Sequence, residues 1–344
     1  MLGPGLGGGH GPLEGVYGLI SDNFRQLNVV LANGTAITVN ETSHAGLLWG
    51  MKGAGHNFGI VTSFELNIFP RGPDLWYYHN YIWRSDKLDA VFTAFNNFHN
   101  NGSTPINMTV KYGGFQLNTT ISKTDPIIWW DFVYRGTASE AEQHLAPFNA
   151  IEAVQSESGD VPYPGVSIAQ GNGETQFICQ DNEVRITATA GLQVYNLTAE
   201  HLIYNGFKRR IASNPILAAG GGILHEGYST EAVDNKNPDD SAYPFRAHHH
   251  LMLVQIIVPP GNKSIEREAW EWASEVRDQW NQGQPGRPVI TYVNYANGYE
   301  PVETIYGHEA WRLERLRGLK KNYDPENRFR FYNPIVGANR TMQY

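Results

Sequence analysis

The sequence predicts an α+β protein of two domains. Three observations carry that reading: a glycine-rich turn running into a β-branched strand at residues 53–62, an Asn-Gly hairpin upstream of it, and aromatic strands alternating with helices beyond residue 74. A chain of 344 residues is long enough to bury a large core.

The elements follow in order. Gly7-Gly8-Gly9-His10-Gly11 is a glycine cluster near the amino terminus. Residues 28–31 and 36–39 alternate around Ala32-Asn33-Gly34-Thr35, and an Asn-Gly pair between two β-rich runs is a strong hairpin signal. Ser43 is placed to cap a short helix with Leu47, Leu48 and Met51 on one face, and Gly53 ends it. Residues 60–69 then read as a strand with Phe64, Leu66 and Ile68 on one side, and Pro70-Arg71-Gly72-Pro73 marks a boundary. Strands at 75–83 and 127–134 alternate with helical patterns at 87–99 and 139–148. A helix is expected at 264–280, with Ile265, Ala269, Trp272, Val276 and Trp280 near helical spacing, and another at 309–321 with Trp311, Leu313, Leu316 and Leu319 inward. Residues 292–295, Tyr-Val-Asn-Tyr, alternate as a strand, which sends Tyr292 and Asn294 to one face and Tyr295 to the other.

Charge and cysteine content exclude several function classes. The chain carries 26 Lys and Arg against 34 Asp and Glu, a net charge of −8, so there is no basic footprint for nucleic acid or anionic lipid. Its longest apolar run, 251–260, is too short for the roughly 20 residues a bilayer span needs. Cys179 is the single cysteine and reads as a lone buried thiol, which rules out an internal disulfide. Asn-x-Ser/Thr acceptors occur at Asn33, Asn40, Asn101, Asn107, Asn118, Asn196, Asn262 and Asn339, a density that suggests a secreted, glycosylated lineage. His248-His249-His250 invites a metal reading, with residues 248 and 250 on one strand face. No acidic or thiol ligand lies at companion spacing, so the packing reading is preferred and no metal is assigned.

Gly53-Ala54-Gly55-His56-Asn57-Phe58-Gly59-Ile60-Val61-Thr62 reads as a cofactor-binding turn, because glycine lets backbone donors and carbonyls come within contact distance of a ligand. The alternative is a tight helix-to-strand turn. Gly3-Pro4-Gly5-Leu6-Gly7-Gly8 spells GxGxxG, yet no strand precedes it, which argues against a Rossmann site. This turn, the amino-terminal glycine cluster, Tyr292-Val293-Asn294-Tyr295 and Tyr323-Asp324-Pro325-Glu326-Asn327 together resemble the berberine-bridge-enzyme-like FAD-linked oxidoreductases of the vanillyl-alcohol-oxidase superfamily.

That resemblance implies the carboxy-terminal portion of a PCMH-type FAD-binding domain (residues 1–70), an antiparallel-sheet substrate domain inserted at 71–286, and a berberine-bridge-type segment at 287–344 returning to the FAD domain. In the family the glycine cluster follows a subdomain that supplies the histidine joined covalently to flavin, and in some members a second, cysteine link lies just upstream. The chain is therefore expected to be the carboxy-terminal part of a larger enzyme. The resemblance further implies FAD as cofactor, a small-molecule substrate oxidised at an alcohol or amine carbon, and molecular oxygen as electron acceptor. Gly7, Gly8, Gly9 and His10 would approach the pyrophosphate. Gly55, Asn57, Gly59, Ile60 and Val61 would line the adenosine half, with the backbone of Ile60 and Val61 in contact. Tyr295 would act as the base for the substrate hydroxyl, and Asn294 would face the flavin. In Phe329-Arg330-Phe331-Tyr332-Asn333-Pro334-Ile335, Asn333 stands where many members place glutamine near the flavin; the same residue is equally a satisfied loop asparagine. The motif departs from plant members, where a charged Arg-Asp-Leu-Asp stretch follows the tyrosine in place of Ala296-Asn297-Gly298-Tyr299. The competing reading is a catalytically silent remnant or binding module without flavin.

Overall fold

The computed structural model describes residues 1–70, 72, 74–99, 104–172, 182–248 and 250–337; Cys179, His249 and the acceptors Asn101 and Asn339 lie outside them. The chain divides into two compact units, one of residues 1–70, 230–248 and 288–343, the other of 71–229 and 249–287. Residues 230–248, which the sequence reading placed in the inserted domain, group with the first unit.

In the first unit, β1 (Phe24–Val30) pairs antiparallel with β2 (Ala36–Asn40) and with β3 (Ile60–Leu66), giving the order β2-β1-β3. The Asn-Gly turn closes the hairpin with Val30 opposite Ala36, and Gly34 takes a positive φ of 84°. One sheet face buries Leu27, Val29 and Val39 against Leu47, Met51, Phe58, Tyr306 and Leu316. The other carries a polar ladder in which Asn28 bonds Ser63 at 2.8 Å and Thr38 at 2.9 Å. The strand from residue 60 ends at Leu66, short of the expected 69, and Ile68 is 93% exposed.

The helix Ala45–Ala54 has its N-cap position at His44, in the left-handed region, so Ser43 stands one residue too early to cap it, and its hydroxyl donates to the Thr38 carbonyl at 2.9 Å. Gly53 adopts φ 142°, and a Cβ there would lie 2.3 Å from the Tyr243 nitrogen. This close approach lets the amides of Ala242 and Tyr243 bond the carbonyls of Trp49 and Lys52, which docks segment 230–248 on the helix. The Arg246 guanidinium seals the dock by a buried two-pronged pair with Asp22 at 3.0 and 2.7 Å. In the helix Ala310–Tyr323 the inward residues are Arg312, Leu316 and Lys320, at i, i+4 spacing, while Trp311 is 40% exposed. Leu313 and Leu319 pack partly buried against the core as the stripe predicts, and two cations join the inward face because each finds buried oxygen partners: Arg312 donates to Ser241 O at 2.7 Å, Lys320 to Asn57 O at 2.8 Å.

The second unit is a seven-stranded antiparallel sheet of order β7-β4-β6-β5-β9-β10-β8, with β4 Trp76–Trp83, β5 Met108–Gln116, β6 Ile127–Arg135, β7 Gln155–Val161, β8 Val184–Leu192, β9 Gly221–Tyr228 and β10 His250–Val258. Period-two alternation sends Tyr81, Trp83, Phe115, Trp130, Phe132 and Met252 to the face that packs on residues of helices Leu88–His99, Ala138–Asn149, Leu197–Ser213 and Lys263–Gln282. The last helix buries Ala269, Trp272, Val276 and Trp280 as its spacing predicts. Inside this core the His225–Glu200 pair at 3.0 Å is fully buried, and Glu200 also accepts from Trp280 Nε1 at 3.2 Å. Strand β10 begins at His250, so the histidine triplet does not form one strand face: His250 stacks on Tyr195 at 4.1 Å in this core, and His248 belongs to the first unit. Among the described residues no helix is long and apolar enough to cross a membrane, and no cluster of three metal-ligating side chains occurs.

Candidate active site

The residues singled out by sequence all fall in the first unit, where all but Gly59, Ile60 and Val61 form two hydrogen-bonded groups joined at residues 292–296. Those residues are a turn. The amides of Tyr295 and Ala296 donate back to the Tyr292 carbonyl at 2.9 and 3.0 Å, so the expected strand alternation does not apply. A residue three positions on in such a turn comes back beside the first, and the rings of Tyr292 and Tyr295 meet edge to face with centroids 5.1 Å apart. Tyr292 is buried and Tyr295 is half-buried.

The first group gathers around the Tyr292 hydroxyl oxygen. It accepts from the amides of Gly9 and His10 at 3.2 and 3.4 Å and from Asn294 Nδ2 at 2.6 Å. The amides of Gly7 and Gly8 donate to Pro4 O and Gly5 O. Gly7 is closely packed: a Cβ there would lie 2.3 Å from Asn294 Oδ1, so the Asn294 side chain would have to shift. His10 is held at both ring nitrogens, Nδ1 by Glu14 at 2.9 Å and Nε2 by the Tyr243 hydroxyl at 2.9 Å. The rings of Tyr292 and His248 lie 4.9 and 5.4 Å from it. Burial pushes both Tyr243 and Tyr292 above the ordinary tyrosine value, against the hydrogen bonds that pull Tyr292 down.

The second group joins the glycine turn to the carboxy-terminal motif. The amide of Gly55 donates to Leu6 O at 3.0 Å. Fully buried Asn57 donates to the Tyr306 hydroxyl at 3.1 Å and to Asn333 O at 3.3 Å, and accepts from the Ile335 amide at 3.1 Å. Tyr306 donates in turn to the Asn333 carbonyl and bonds His56 Nε2 at 2.9 Å. Burial brings His56 down to about 4 and raises Tyr306. Lys320 clamps the turn, donating to Asn57 O, Phe329 O and the Asp324 carboxylate at 2.8, 2.8 and 2.6 Å. Asn333, at φ 38°, donates to Val293 O at 2.9 Å, which links the two groups. Its Oδ1 is buried without a hydrogen-bond partner.

Gly59, Ile60 and Val61 stand apart. Gly59 packs against β1, where a Cβ would lie 2.8 Å from Val30 O. Ile60 and Val61 open β3, an edge strand, opposite Val30 and Val29. In an antiparallel edge strand alternate residues turn their amide and carbonyl away from the sheet, so one of these two offers an outward pair. Sequence reasoning missed Glu14, Tyr243, Tyr306 and Lys320. Glu14 was legible, four residues after His10 in a glycine turn; the other three reach the site from segments with no motif of their own.

Residues 291–336 match the family model described as "Berberine and berberine like". The chain is 50% identical over 336 residues to the FAD-linked oxidoreductase anuG of Penicillium roqueforti, a match covering 98% of this chain and 66% of that protein. It is 30% identical to the FAD-linked oxidoreductase chyH of Penicillium rubens, covering 97% of this chain and 67% of the relative. The chain thus spans about two thirds of the length of the curated relatives it matches. A solved chitooligosaccharide oxidase shares the fold with a TM-score of 0.75 at 21% identity, over 97% of this chain and 70% of that one. The glycine turns, the Tyr292–Tyr295 turn and these matches agree on one assignment: the chain belongs to the berberine-bridge-enzyme-like family of FAD-linked oxidoreductases.

Proposed function

We propose that this protein oxidises an alcohol or amine carbon of a small molecule, with FAD as the redox partner and oxygen as the final electron acceptor. The observation that carries the reading is the 292–296 turn, which presents a half-buried tyrosine beside the two groups of family residues. Two features fit FAD: the buried, unpartnered Asn333 Oδ1 suits an N–H of a flat heterocycle, and the outward backbone at Ile60 or Val61 suits an adenine edge. The amides of Gly7, Gly8, Gly9 and His10 are engaged within the protein: the first two close a turn on Pro4 O and Gly5 O, and the last two hold the Tyr292 hydroxyl. When bound, FAD supplies the two-electron chemistry. Tyr295, as its phenolate, accepts the proton of the substrate hydroxyl, and Tyr292 fixes the turn that carries it. Anaerobic titration of the FAD-loaded protein with a panel of primary alcohols and amines tests the proposal. Bleaching of the flavin absorbance by one of them supports it, and a loaded protein that none of them bleaches refutes it.

The engaged amides of the glycine cluster also favour a second reading, a binding module that holds no flavin, which a flavin-binding measurement separates from the first. We further propose passage through a secretory pathway, resting on the acceptor sequences. Asn33 in the hairpin turn and Asn262 before a helix are both exposed. Glycosidase treatment of material secreted by a eukaryotic host is expected to lower its mass, and an unchanged mass would refute secretion by this route.

A further inference from the structure

His10 joins a buried carboxylate to a buried phenol, all within the first unit. Glu14 lies four residues on, with Oε2 at 2.9 Å from His10 Nδ1, and the same oxygen accepts from the Gly11 amide at 2.9 Å. A carboxylate only accepts, so Nδ1 carries the ring proton and Nε2 of the neutral imidazole is left as an acceptor. Tyr243 reaches that nitrogen from segment 230–248, and its O–H donates to it at 2.9 Å. The Tyr243 amide is pinned on Lys52 O at 3.0 Å, which fixes where the ring stands.

The acceptor of its proton sets Tyr243 apart. Tyr306 donates to the Asn333 carbonyl and Tyr81 to Asn149 Oδ1 at 2.6 Å, amide oxygens that are no bases. Tyr77 and Tyr78 donate to Glu142 and Glu157, weaker bases than an imidazole. The Tyr292 oxygen meets N–H donors, the Gly9 and His10 amides and Asn294 Nδ2, whose orientation is set by its bond to Pro4 O at 3.0 Å. Tyr323 meets His44 at 3.0 Å, but that pair is exposed. The rings of Tyr243, Tyr292 and Tyr295 follow one another with centroids 6.2 and 5.1 Å apart, so they lead from a half-buried ring to the buried phenol. Burial holds the Tyr243 hydroxyl protonated, so it gives up an electron readily only when its proton leaves at the same time. We propose that Tyr243 is a redox-active tyrosine, which yields one electron to an oxygen- or peroxide-derived radical while its proton passes to His10. The O–H bond breaks, an N–H bond forms at Nε2, the oxidant gains the electron, and the imidazolium stays paired with Glu14. Tyr295 and Tyr292 relay the electron outward, and the radical settles on Tyr243 because a base waits there for its proton. A thiol or ascorbate returns the electron, and His10 then returns the proton. The inference goes beyond the proposed oxidation and does not rest on it.

The test uses the full chain with no flavin added, which separates its failure from failure of the proposed oxidation. Flash photolysis with tris(bipyridine)ruthenium and persulfate supplies the one-electron oxidant, and transient absorption with EPR reads the tyrosyl radical. Wild type should show a long-lived tyrosyl fraction, shielded from the radical pairing that consumes surface tyrosines. It should form more slowly in heavy water, because an O–H bond breaks in the same step. Tyr243→Phe should lack this fraction and Tyr323→Phe should keep it. His10→Gln leaves an amide that is no base and should slow its formation at least about tenfold, within the usual worth of a positioned base. Glu14→Gln removes the charge that stabilises the imidazolium and should slow it severalfold; this variant and the isotope effect test the proposal even where Tyr243→Phe does not fold. Melting temperatures of the same samples separate lost folding from lost chemistry, since a residue that only packs would change the melt without selecting one radical. No long-lived tyrosyl signal in wild type, its survival in Tyr243→Phe, or equal rates in wild type and a folded His10→Gln would each overturn the proposal.

Discussion

Tyr292 and Tyr295 share one turn but have different parts in the proposed reaction, and that difference sets what each substitution does. Tyr295→Phe keeps ring and packing but removes the proposed proton acceptor, so flavin reduction by substrate should slow by about 10²- to 10⁴-fold with folding intact, as read by stopped-flow. Tyr292→Phe removes the acceptor of the Gly9 and His10 amides and of Asn294. It should cost roughly 1–3 kcal/mol in a denaturant melt, and comparable losses of stability in both variants would argue against the division of roles. His56 gives a pH signature. Its folded value of about 4 lies below the ordinary 6.5, so between those limits the unfolded chain binds the extra proton and stability rises with pH. Stability lost on acidification through that window should amount to about 3 kcal/mol. A His56→Gln variant should lose that dependence, which melts at pH 4.5 and 7 would check.

Among the elements, the helix Ala310–Tyr323 does the most to shape the candidate site, through Lys320. Lys320→Met would strand the Asp324 carboxylate in a buried position and release Asn57 O and Phe329 O, at a cost of about 3–5 kcal/mol. Adding Asp324→Leu should recover part of it, since the double variant no longer buries a lone charge; urea melts of both variants measure the recovery. This role was not legible in the sequence. Leu313, Leu316 and Leu319 advertised an apolar face, and only tertiary oxygens supplied by the Asn57 turn and residue 329 make a buried lysine tolerable. The hairpin at Asn33-Gly34 and the helix bearing Trp272 and Trp280 were legible, because local turn chemistry and spacing fix them. The 292–295 turn was misread because alternation of Tyr, Val, Asn and Tyr mimics a strand when the Tyr292 carbonyl's partners are unknown. Ser43 was out by one residue: the N-cap position falls at His44, whose left-handed backbone no local pattern announces.

For the whole molecule, family membership was legible from dispersed glycine and tyrosine motifs, while the grouping of residues 230–248 with the first unit was not. That docking depends on Gly53 and on Arg246 meeting Asp22 more than two hundred residues away, which no local pattern announces. The central claim is that this chain holds FAD without a covalent bond to its own glycine-turn histidines, since His10 is bonded at both ring nitrogens and His56 is held by Tyr306. Titrating FAD with the protein, following quenching of flavin fluorescence and then precipitating with acid tests it most directly. The account predicts saturable quenching with all flavin recovered in the acid supernatant; no quenching, or flavin retained on the precipitated polypeptide, would contradict it.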